Sequence, residues 1–79
     1  MNNKIKLYEV FAHALGVEIS QIDDNLEYNS ISEWDSVSHM AVVVGLEETF
    51  RIVLDTDDII SMNTISKAKE ILLKHGINV

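Results

Sequence analysis

Residues 34–50 read WDSVSHMAVVVGLEETF, and whether this stretch forms a helix or a strand decides the fold. The β-branched run Val42-Val43-Val44 would suit a strand on propensity alone, and Gly45 costs about 1 kcal/mol inside a helix. Against this, the segment from Val37 to Phe50 is longer than a typical strand, and Leu46-Glu47-Glu48 are good helix formers. Asp35 or Ser36 can open a helix, because a short polar side chain there accepts from the free amides of the first turn. The reading is therefore a helix over about Ser36 to Phe50, with Val37, Met40, Val43, Val44 and Phe50 in apolar register.

Upstream, residues 17–34 lose periodicity and fill with polar and turn-forming residues such as Asp23-Asp24-Asn25 and Asn29-Ser30. Ile19, Ile22, Leu26, Tyr28 and Ile31 interrupt them, which predicts a long loop strapped over a core. Before it, Ile5, Tyr8, Phe11, Ala12 and Leu15 recur at helical spacing, with Leu7, Val10 and Ala14 widening the stripe. This predicts a helix over about Lys4 to Leu15, capped by Asn2 or Asn3 and closed by Gly16. Downstream, a short helix is expected near Thr56 to Ser61, capped by Asp55 or Thr56. A last helix follows Asn63 or Thr64, carries Ile65, Ala68, Ile71, Leu72 and His75 on one face, and ends in a turn at Gly76. The sequence has no proline, repeat or low-complexity tract to divide it, so residues 1–79 read as a single all-α domain, a four-helix bundle with a short third helix.

The 79 residues hold one modest core and leave little room for a buried active site with its supporting shell, which points away from an enzyme. There is no cysteine to add disulfides or thiolate metal ligands, and no export signal or bilayer-length apolar run is read. A cytoplasmic location is the expectation. Charge is uneven: of the 13 acids behind the net charge of −7, eleven lie between Glu18 and Asp58, where Arg51 is the one basic residue other than histidine. Such a field disfavours nucleic acid and anionic membrane as partners and steers basic protein surfaces toward the chain.

Ser36 sits where an acidic loop meets a helix N-terminus. A serine there is ordinarily a cap, but its hydroxyl also faces solvent beside free amides and a positive dipole end, surroundings that stabilise an attached phosphodiester. Trp34-Asp35-Ser36-Val37, then Leu46-Glu47-Glu48-Thr49-Phe50-Arg51-Ile52, Asp57-Asp58-Ile59 and Met62-Asn63-Thr64-Ile65 together closely resemble the acyl and peptidyl carrier protein family, with matching spacing and no gaps. The resemblance implies a bundle of acyl-carrier type and a 4′-phosphopantetheine arm on Ser36. A phosphopantetheinyl transferase would take that arm from coenzyme A, and its thiol would carry an acyl or aminoacyl group as a thioester. It gives Asp35 a part in placing Mg²⁺ for the transferase, and makes Val37, Met40, Glu47 and Glu48 the surface on which acyl-loading and acyl-transfer enzymes dock basic patches. The carrier itself would be a monomer without catalytic residues.

The chain departs from the fatty acid synthesis members at Ser38 and Ala41, where further acids are usual, and in the less usual His39 beside them. Arg51 also stands where glycine is common. These differences point to a dedicated carrier of a specialised pathway, with polyketide, nonribosomal peptide, aminoacyl and surface-polysaccharide systems all open. The reading from another class is a non-enzymatic acidic interaction module without a prosthetic group. Other chemistry is weaker. Ser36 and His39 lie one turn apart but lack the elbow, third group and oxyanion loop of a hydrolase, so His39 reads as a surface histidine. Asp55-x-Asp57-Asp58 lacks the glycine and final acid of a calcium loop and reads as helix capping. His13 and His75 read as surface or last-turn residues, and Trp34 as packing the loop onto the bundle. Because acids crowd the middle of the chain, thermal denaturation over a salt series is expected to show the melting temperature rising with ionic strength, whereas a flat series would contradict that reading.

Overall fold

Short polar side chains decide where each helix starts. In the computed structural model, which describes residues 2–79, the Asn2 side chain accepts from the amides of Lys4 and Ile5 and opens α1 (Asn3–Leu15). Asp35 opens α2 (Ser36–Phe50), Asp55 opens α3 (Thr56–Ser61), and Thr64 opens α4 (Ile65–Lys74). Each satisfies an amide that the first turn leaves without a helical partner. The ends follow the sequence as well. Gly16 closes α1 at φ 70°, and Gly76 turns the chain after α4 at φ 84°, a left-handed backbone that glycine adopts without steric cost. Arg51 takes the same conformation after α2, at φ 55°, which explains the preference for glycine at that position. Among the described residues these four helices, a single 3-10 turn at Ile19–Gln21 and no strand make up the fold, an all-α bundle.

The Val42-Val43-Val44 run is helical because packing outweighs propensity. Val42, Val43 and Leu46 are buried in the core with Leu7, Phe11 and Leu15 of α1, Met62 beyond α3, and Ile65, Ala68, Ile71 and Leu72 of α4. The expected register of α2 is corrected in part. Val37 is 79% exposed, and Met40 and Val44 are about half exposed, so they form a second apolar line that faces solvent. In α1 the core line is Leu7, Phe11 and Leu15, while Ile5 stands half exposed. Helices α1 and α2 approach closely at Gly45, where a Cβ would lie 2.8 Å from Cγ1 of Val10.

The loop between α1 and α2 is fastened at several points, as its scattered apolar residues predict. Ile22 and Trp34 are buried, and Leu26, Tyr28 and Ile31 pack against the core. Its backbone bonds to the start of α4: Tyr28 N–H donates to Asn63 O (2.9 Å), Ile65 N–H to Leu26 O (3.2 Å) and Ser66 N–H to Asp24 O (3.0 Å). Asp24 adds a polar clamp, accepting from the Tyr8 hydroxyl at 2.6 Å and from Lys69 at 2.7 Å. Burial, with Asp24 beside it, pushes the Tyr8 hydroxyl up to about 12, and the hydrogen bond from Lys69 holds Asp24 below the usual carboxylate range.

Asp58 is the one fully buried charged residue among those described, and it ties α3 to the end of α4. Its carboxylate accepts from Lys74 and, at 2.9 Å, from Nε2 of His75. The hydrogen bond from Lys74, then that from His75, lowers its pKa to about 2. Thus Asp55 caps α3 as the sequence suggests, while Asp58 and His75 form a contact that local sequence does not announce.

Two outcomes test this packing. Gly45→Ala adds helix propensity but crowds Val10, so in a double-mutant cycle it is expected to be more favourable in a Val10→Ala background than in the wild type, by about 1 kcal/mol. Additivity of the two substitutions would show that the contact is not tight. For Asp58 the folded value of about 2 lies below the ordinary 3.8, so its contribution is present above pH 3.8 and is lost as pH falls toward 2. Asp58→Asn should therefore cost about 1–3 kcal/mol at neutral pH and flatten the acid limb of stability, read by urea unfolding over a pH series.

Candidate functional site

The site is built from the inside outward, beginning at Trp34, which ends the long loop and is completely buried. Its ring meets Phe11 edge-on at 5.3 Å and Tyr28 edge-on at 6.1 Å, and stacks on His39 at 6.0 Å. An indole N–H can only donate, so the 3.0 Å contact from Trp34 Nε1 makes Nδ1 of His39 the acceptor. The neutral His39 ring then carries its proton on Nε2, which donates to Ile59 O at 2.9 Å. Trp34 fastens the loop, as expected. His39 is corrected from a surface residue to a half-buried link between the loop, α2 and α3.

With its neighbours fixed on both sides, the chain turns outward between them. Asp35 Oδ1 accepts from Ser38 N at 2.9 Å, and this backbone hydrogen bond holds the carboxyl below the usual carboxylate range. Ser36 is the first residue of α2 and is exposed. Its own amide and that of Val37 belong to the first turn, which has no helical acceptors to offer them. A primary hydroxyl thus stands in solvent at the positive end of a 15-residue helix. His39, one turn on, cannot serve it as a base, since both ring nitrogens are engaged with Trp34 and Ile59. The Ser-His hydrolytic arrangement is excluded on geometry.

The other residues singled out from the sequence lie along the same helix. Val37 and Met40 continue the exposed apolar line from Ser36 toward Val44, and Glu48 is exposed beyond it. Glu47 is half-buried, with Oε2 accepting from Leu54 N at 2.9 Å, so it anchors the α2–α3 connection. That engagement was not evident from the sequence, because the acceptor role depends on how the connection folds back. His13 is exposed on α1.

Two depressions flank α2. A cavity of about 240 Å³ lies between α2, α3 and the long loop, lined by Tyr28, His39, Ile59, Ile60, Met62 and Asn63. A groove of about 430 Å³ follows the α1–α2 seam, with Val10, Ala14, Ala41 and Gly45 among its lining and Lys6, Glu9, His13 and Glu48 beside them. The groove is the larger, but the cavity shares His39 with the supports of Ser36. No helix is long and apolar enough to cross a membrane among the described residues.

No family model matches the sequence. The chain is 29% identical over 70 residues to the acyl carrier protein of Cyanidioschyzon merolae (strain NIES-3377 / 10D), a match that spans 89% of this chain and 77% of that one. This distant likeness agrees with the bundle of acyl-carrier type and supports, at the level of the family, the resemblance read around Ser36.

Proposed function

We propose that the protein is an acyl carrier that holds an acyl or aminoacyl intermediate on a 4′-phosphopantetheine arm at Ser36 and presents it to successive enzymes. The observation that carries this is the exposed hydroxyl of Ser36 at the start of α2, between an engaged Asp35 and an exposed Val37. The arm supplies a thiol on which a thioester can form; the chain's own residues supply its attachment and its setting. Ser36 Oγ would form the bond to phosphorus in the transferase complex, displacing the nucleotide half of coenzyme A. In turnover it is a tether and no longer reacts.

Asp35 serves two ends in this reading. Its carboxylate caps α2 through Ser38, which fixes the backbone next to Ser36. It also sets a negative charge beside the incoming phosphate, and a hard divalent cation between them would relieve that repulsion, consistent with a role in holding Mg²⁺ during transfer. The exposed line of Val37, Met40 and Val44, with Glu48 at its edge, is the proposed docking surface for a transferase and for acyl-loading and acyl-transfer enzymes with basic patches. Departures at Ser38, His39 and Ala41 support a specialised pathway over fatty acid synthesis.

Incubation of the purified protein with coenzyme A, Mg²⁺ and a broad-specificity phosphopantetheinyl transferase is expected to add the mass of the arm, and Ser36→Ala to abolish the gain while leaving the circular dichroism spectrum unchanged. An unmodified wild-type protein would favour the other reading, an acidic helical interaction module that uses the same exposed line without a prosthetic group.

A further inference from the structure

The cavity between α2 and α3 has a floor that bears on what the arm can carry. Going inward from solvent, the cavity meets the His39 ring, and behind that ring lies Trp34 and then Phe11. The floor is tied at both nitrogens of His39, to Trp34 on the core side and to the Ile59 carbonyl of α3 on the other. Met62, buried to 1% exposure, forms a wall, and Ile60, 73% exposed, stands at the rim. The space, of about 240 Å³, ends at this floor. Moving α3 aside to deepen it would strand Nε2 of His39 and the Ile59 carbonyl, and swinging the His39 ring out of the way to reach the core would strand the indole N–H of Trp34 as well.

We infer that this carrier handles short acyl or aminoacyl groups, which rest in the shallow seat over His39, and that the Trp34–His39–Ile59 bridge closes the bundle core to long aliphatic chains. The inference rests on the carrier reading of Ser36. It assigns His39 a specificity-determining role by position. Ser36 lies one turn before His39 on α2, so a group returning along the helix from its attachment point meets this seat.

The test loads Ser36 with acetyl, butyryl, octanoyl and decanoyl pantetheine arms from the corresponding coenzyme A thioesters, each confirmed by mass. Two readouts follow: the melting temperature, and the NMR resonance of the indole N–H, which is unique because the chain has one tryptophan. In the wild type the decanoyl form is expected to melt within about 5 °C of the acetyl form, with the Trp34 indole resonance unmoved from acetyl to decanoyl. In His39→Leu, which keeps bulk but loses both hydrogen bonds, the melting temperature should climb with chain length as the opened seam takes up the longer chains. A wild-type rise of more than about 5 °C, or an indole shift that grows with chain length, would overturn the inference while leaving the carrier function standing. Failure of every arm to load would instead remove the carrier reading and this inference with it.

Discussion

A single buried indole N–H organises the functional end of this bundle. Trp34 is the largest side chain in the core, and burying it requires an acceptor for a proton that water would otherwise take. His39 provides that acceptor, and doing so fixes the tautomer that lets its other nitrogen donate to Ile59. One polar group therefore holds three otherwise separate pieces: the end of the 20-residue connection between α1 and α2, the first turn of α2, and the short α3. Ser36 lies in sequence between the two bonded residues, in the exposed stretch Asp35-Ser36-Val37 that they bracket.

Helix α2 carries two apolar lines. A helix buried along one face needs apolar residues only there, yet Val37, Met40 and Val44 repeat a second line on the side facing solvent. This line adds nothing to the packing of the core and exposes surface that a solitary protein of this size would gain by making polar. Its cost is intelligible if partner enzymes cover it transiently while the acidic surroundings guide them in. In the proposed carrier, structural and binding demands would thus fall on opposite sides of one helix, and the hydrophobic pattern has almost no preferred direction.

That doubled pattern also marks where the sequence could be read and where it could not. Caps and turns at Asn2, Gly16, Asp35, Asp55, Thr64 and Gly76 were legible because each depends on local backbone chemistry alone. So were the helices they bound, even across Val42-Val43-Val44. The register of α2 was only partly legible, since two apolar lines leave the buried one undetermined until α1 and α4 are in place. The place of Ser36 at the exposed start of α2 was legible from the capping chemistry of Asp35 and Ser36. His39, Asp58, His75 and the anchoring of Glu47 were not, because each makes its decisive contact with a residue brought near by tertiary folding, from 7 to 20 positions away. A tryptophan destined for the core must find an acceptor, but Ser30, Ser32, Glu33, Asp35, Ser36 and Ser38 could each supply one as well as His39, so the sequence did not single out the histidine.

The short helix α3 shows what these polar contacts accomplish in a chain without disulfides. Six residues are too few to be stable as a helix by themselves, and α3 contributes little bulk to the core. It is instead held from two directions, through the Ile59 carbonyl by His39 and through the Asp58 carboxylate by Lys74 and His75. These adjacent residues face different helices, α2 and α4, so α3 cannot tilt away from one without straining its bond to the other. Hydrophobic contact alone would tolerate sliding, whereas hydrogen bonds to fixed acceptors do not. The wall that α3 gives the cavity over His39 is therefore set by directional bonds, and its shape is a property of the resting protein.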